Sequence, residues 1–282
     1  MQSKNPVLSK PDAWVVPSAQ SQAYGQGVPG GQAYPGQGFP PPADPYGAGY
    51  VPAPAAVGGR MTIEDVLTKS AVTLGTVAGM AALTYWAFSS GLLPMSLITP
   101  IWIVAGLVAF GTVLLVSFRT KVNPAFVLLY AAIEGVFIGA VSRAYEYLYQ
   151  GIVPAAVFST LFAAAATLGA YKFFRIKVTS KFRKMVYIGT MAYAAMLLVN
   201  LVMSFFGAGF LFSGGNLFLL LGISAIGIGL AVFNLILDFD YIEQGIAVGA
   251  DQSESWKAAF GLTVTMVWLY IEMLRLLSYL RR

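Results

Sequence analysis

The chain has no cysteine and no histidine. Zinc sites of the Cys/His type, thiol catalysis and disulfides are therefore excluded, and cysteine usage says nothing about the compartment. The residue that most often switches charge near neutrality is also missing, so any pH response there has to come from carboxylates. Charge is scarce as well, at 10% of residues against 57% hydrophobic. What fills the chain is apolar runs of about 20 residues, the length that crosses a bilayer as a helix. The composition is that of an all-α, polytopic integral membrane protein.

Residues 1–59 form a region of their own, rich in Gly, Pro, Ala, Gln and Tyr, with no helical or strand period. Such a segment cannot bury a core and is expected to be disordered. Its N-terminal stretch is polar and lacks the apolar centre of a cleavable signal. The repeated AYGQG, AYPGQG and DPYGAGY pieces suit either a solvated tether or a docking tail for a membrane-protein partner. Residues 60–282 are the transmembrane domain. They open with an amphipathic lead-in at 60–70, where Thr62 and Asp65 have the spacing of a capping box. Seven apolar segments follow, at 71–88, 101–118, 125–145, 155–174, 185–206, 217–237 and 258–280. The last carries Glu272 and Arg275, and six spans plus a re-entrant segment is the alternative to a seven-helix bundle.

Loop charge predicts the orientation. Arg119 and Lys121 follow the second segment, and Lys172, Arg175, Lys177, Lys181, Arg183 and Lys184 surround the fourth connection, whereas the loops at 89–100 and 207–216 are uncharged. The positive-inside rule puts the N-terminus and those basic loops in the cytoplasm. With a net charge of +5, the basic stretch 172–184 suits anionic lipid at about 1 kcal/mol per residue near the surface, and no nucleic-acid partner is expected. The acidic residues after the sixth segment are expected to decorate a solvated cytoplasmic loop.

Residues 233–245, FNLILDFDYIEQG, deliver Asp238, Asp240 and Glu243 at the end of the sixth run. Carboxylates there either anchor in water or are costly groups placed for ions or protons. On a helix Gly227, Ala231, Asn234 and Asp238 share one small, polar face that should look into the protein. Asp240 lies about 200° around from Asp238 and is expected to face water or head groups. Glu134 sits ten residues beyond Pro124, roughly 15 Å into the bilayer, beside a row of small residues, Gly135, Gly139 and Ser142, suited to close helix contact. A carboxylate at that depth needs a partner, a proton or water. Glu272 with Arg275, and Arg143 with Glu146, have the spacing of local ion pairs near the interface. No nucleotide-binding loop, Ser/His/Asp arrangement or metal-hydrolase motif occurs, so an enzyme is not expected.

Three stretches, AAIEGVFIGAVS at 131–142, LILDFDYIEQ at 235–244 and SWKAAFGLTVTMVWLYIEMLRLL at 255–277, resemble the Bax inhibitor-1 (transmembrane Bax inhibitor motif) family, in particular its bacterial branch, from about residue 60 to the end. The resemblance implies a seven-helix protein of the bacterial plasma membrane that conducts a pH-sensitive Ca²⁺ leak, gated by paired aspartates on the sixth and seventh helices. Asp238 matches the first. Matching AAFGL places Thr265 at the second, whereas matching LYIE selects Glu272. Counting about 1.5 Å per residue, Thr265 is roughly 12 Å deep and Glu272 roughly 22 Å, so Thr265 is the better partner and the two-carboxylate pair is missing. Asp238, Asn234, Glu134 and Thr265 are thus the expected ion- and proton-sensing residues, with Asp240 and Glu272 secondary. Ca²⁺ would be a transient ligand at Asp238 and the transported ion; no other cofactor is expected. The alternative is a non-conducting adaptor that restrains another membrane protein, such as a quality-control protease.

Overall fold

The computed structural model describes residues 59–117, 122–174, 176–207 and 216–281. The proposed tail, residues 1–59, lies outside them except for Gly59. Seven α-helices follow in order: α1 (Ile63–Ser89), α2 (Ile98–Ser117), α3 (Pro124–Leu148), α4 (Ile152–Phe173), α5 (Ser180–Phe205), α6 (Leu217–Ala247) and α7 (Glu254–Leu280), with a 3-10 turn at Met95–Leu97 before α2. Each of the seven is long and apolar enough to cross a membrane. No strand occurs among the described residues beyond an isolated bridge between Arg60 and Asp251.

Local chemistry starts the helices where side chains can take up free N–H groups. Thr62 accepts from the Asp65 amide at 3.1 Å and donates to its carboxylate at 2.9 Å, so the lead-in is the first turn of α1 itself. Asn123 accepts from the Ala125 amide ahead of Pro124 at the first helical position, and Thr179 and Asn216 cap α5 and α6 in the same way.

The last helix runs from one end of the bundle to the other. At its start, Lys69 near the beginning of α1 donates to the Gln252 carbonyl at 3.1 Å. Just past its end, Arg281 donates to the Gln150 carbonyl at 2.7 Å, in the connection from α3 to α4. These contacts lie at opposite ends of α1 and α3, which leaves no room for a re-entrant turn.

Packing is densest around α3, the most enclosed of the seven, and loosest around α5. The predicted row of small residues on α3 lies directly against α1. A Cβ on Gly135 would stand 2.6 Å from the Val77 carbonyl, and one on Gly139 2.5 Å from that of Ala81. Only glycine admits backbones this close. The main apolar core then gathers Val77, Ala131, Ile138, Val141, Val267 and Leu274 from α1, α3 and α7. Large apolar side chains such as Phe158, Phe162, Ile188 and Met191 on α4 and α5 remain exposed, as expected of surfaces that face lipid.

The sixth helix corrects a boundary. The apolar run ends at Leu237, but α6 continues to Ala247, because a helix persists past the apolar stretch when its polar residues find partners. Asp240, Glu243 and Gln244 are therefore helical, and the connection to α7 is only residues 248–253.

Candidate functional site

Asp238 lies nine residues before the end of α6 and Thr265 eleven residues into α7, depths of about 14 Å and 16 Å from the helix ends on one face of the bundle. The helices are antiparallel, and the Thr265 hydroxyl donates to Asp238 Oδ2 at 2.6 Å. A Cβ on Gly261, one turn earlier on α7, would stand 3.2 Å from the other carboxylate oxygen. Asp238 is partly buried and seated in a shallow notch of α7 formed by Gly261 and Thr265. Beside it, Thr263 and Thr73 of α1 meet hydroxyl to hydroxyl at 2.9 Å, both fully buried.

Glu134 reaches the same level from α3. Tyr130, one turn before it, packs edge-on against Phe260 of α7 with ring centres 5.0 Å apart. Ser142, two turns after it, meets the Tyr270 hydroxyl at 2.8 Å. Glu134 falls within the arc that these α7 contacts bound, level with Thr263. It is buried, and no hydrogen bond reaches its carboxylate among the described residues. Asp238 and Thr265 are thus in direct contact, and Glu134 stands at about the same height on α3, so the layer is one of height, shared with Thr73 and Thr263, which the sequence reading did not single out. Their signal was present in threonines inside apolar runs, but a threonine in a membrane helix usually just bonds its own backbone.

Three expected placements are corrected. Asn234 does not turn toward Asp238; its amide donates to Thr190 of α5 at 2.7 Å and to the Leu230 carbonyl at 2.8 Å, because that edge of α6 is where α5 packs. Asp240 does not face water. It is buried, accepts from Arg183 of α5 at 2.8 Å and from Gln244 at 2.7 Å, and so engages one of the basic residues assigned to lipid. Glu243 belongs to the helix and not to a loop; it stays exposed and accepts from Tyr171 at 2.6 Å.

Glu272 is seven residues beyond Thr265, about 10 Å farther along α7, and does not join the layer. The expected local pair with Arg275 is present at 3.0 Å, but it is enclosed and not interfacial, with the Glu272 side chain 1% exposed. Tyr193 of α5 donates to Glu272 at 2.9 Å and Trp268 at 3.3 Å. Gly227 of α6 makes this possible, since a Cβ there would stand 2.5 Å from the Tyr193 hydroxyl and 2.7 Å from the Glu272 carboxyl carbon. Arg143 and Glu146 do not form their expected pair. Glu146 instead accepts from the Gly151 and Val153 amides at the start of α4, and Arg143 lies over the Tyr147 ring.

Seven membrane-crossing helices with carboxylates enclosed between them define a multi-pass helical membrane protein with an internal polar layer. The sequence matches the model of the family described as Bax inhibitor 1 like over residues 5–282, and the chain belongs to that family. The match begins within the Gly/Pro/Tyr-rich region, so this region is not outside the family likeness as the resemblance had it. No curated protein matches the sequence.

Proposed function

We propose that the protein is a pH-sensitive cation (Ca²⁺) leak pathway of the plasma membrane, with the layer of Asp238, Thr265 and Glu134 as its control point. The observation that supports this most is the 2.6 Å contact from Thr265 to a partly buried Asp238, at the depth of an enclosed Glu134. A charged Asp238 attracts a cation entering from the nearer face; a protonated one releases it. Carboxylate and hydroxyl oxygens suit Ca²⁺, but two or three side chains are a fraction of the six to eight oxygens it takes, so the ion passes and is not stored. In this reading the N-terminus and the basic connection from α4 to α5 are cytoplasmic, that connection touches anionic lipid, and the tail recruits a membrane partner.

The adaptor reading has an observation of its own. Threonine at 265 leaves Asp238 without a second acid, and a single carboxylate held by a hydroxyl is a weak ion gate. Purified protein in calcium-loaded liposomes, followed by dye release across pH, separates the two. Release that changes with pH, with that dependence lost in Asp238→Asn, supports the leak; no release from any form supports the adaptor.

A further inference from the structure

Glu272 is enclosed in the bundle with its charge met from within the chain. Its carboxylate is 1% exposed and is met by Arg275 Nη1 at 3.0 Å and 3.2 Å, one contact to each oxygen. Around it stand oxygens of the kind a hard cation takes. The Tyr193 hydroxyl lies 2.9 Å from Glu272 and 3.5 Å from the Ile223 carbonyl. Ser224, next to Ile223 and one turn from Gly227, has a fully buried hydroxyl oxygen with no hydrogen-bond partner among the described residues. The ring of Trp268 stacks on that of Tyr193 with centres 5.9 Å apart and closes the side toward Thr265.

A carboxylate enclosed in its ionised form needs a positive partner. Here the partner is a guanidinium from the same helix, three residues away and itself only 15% exposed. An arginine cannot lose its proton, so the site stays occupied whatever the pH. We infer that Glu272 and Tyr193 form the core of a second cation site, about 10 Å beyond the Asp238 layer, and that Arg275 is a tethered cation that keeps it closed to free divalent ions. The inference rests on the cation-pathway reading for its physiological sense, but binding at the site can be measured without conduction.

The test uses full-length protein in detergent with Tb³⁺ as the Ca²⁺ surrogate, excited through Trp268. Arg275→Gln should raise the sensitised Tb³⁺ signal at least several-fold over wild type. The gain should vanish in Glu272→Gln/Arg275→Gln and in Trp268→Phe/Arg275→Gln. Should Arg275→Gln not fold, Arg275→Met keeps the apolar stem and serves in its place. No gain over wild type, or a gain that survives Glu272→Gln, overturns the inference. In liposomes, Glu272→Gln leaves Arg275 as an unopposed positive charge and should cut Ca²⁺ release several-fold, with the double variant restored to near wild type; equal release from both also overturns it. Failure of every form to conduct, with the Tb³⁺ gain intact, removes the leak reading and leaves the site standing.

Discussion

Thr265 and Asp238, 27 residues apart in sequence, meet across α6 and α7 at 2.6 Å. A hydroxyl gives a carboxylate one proton to accept and adds no charge, so the contact positions Asp238 without competing for the cation it would attract. Replacing Thr265 by Val keeps the shape and removes the donor. The loss should be about 1 kcal/mol of stability, read as a lower Tm in detergent. Thr265→Asp places a second acid opposite the first and should tighten Ca²⁺ binding about tenfold, since ligand charge sets affinity at such sites; calcium-dependent thermal shift measures it.

Asp238→Asn keeps the side-chain shape and removes the titrating group. Any calcium release from liposomes should then become independent of pH. Asp240→Asn should retain that dependence, because Asp240 is committed to Arg183 and not to the layer. Its cost should be about 1 kcal/mol, at the upper end for an ion pair with one exposed partner, since the Arg183 side chain is 41% exposed. Equal effects of the two variants on the pH profile would count against the layer.

Glu134 accepts no hydrogen bond among the described residues, so Glu134→Gln, nearly the same in shape, breaks no contact and should leave Tm close to that of the wild type. Its effect should appear in the pH profile of release as a displaced midpoint. An unchanged midpoint would remove Glu134 from the pathway.

Close helix contact gives a sharper stability test. Gly139→Ala forces a methyl to within 2.5 Å of the Ala81 carbonyl, a backbone atom that cannot turn aside, whereas Gly79→Ala meets nothing within 4 Å. The first should cost about 1–3 kcal/mol as an overpacked contact and the second almost nothing. Parallel thermal melts decide it.

Orientation can be read without removing native thiols, since the chain has none. A cysteine at Leu92, exposed in the connection before α2, should react with an impermeant maleimide in intact cells. One at Lys177, between α4 and α5, should react only after lysis. The reverse pattern would invert the bundle and move the Asp238 layer to the outer half.

Hydropathy is a property of consecutive residues, so the sequence by itself determined the seven apolar segments, the position of Glu134 inside the third and the row of small residues that brings α3 against α1, but not whether the last segment runs the full length of the bundle. It also made Thr265 a nearer partner for Asp238 than Glu272, because rise per residue converts position into distance, while the matching depths of the two came only with the extension of α6 to Ala247. What it left open was where each helix is rotated about its axis and how far it runs past the apolar stretch. Those are set by packing between segments far apart in the chain. Only the tertiary structure turned Asn234 toward Thr190, buried Asp240 against Arg183 from 57 residues away, and brought Tyr193 of α5 onto Glu272 of α7. A polar side chain in an apolar helix takes whichever partner its neighbours bring within about 3 Å, and one segment's sequence does not say which helix that will be.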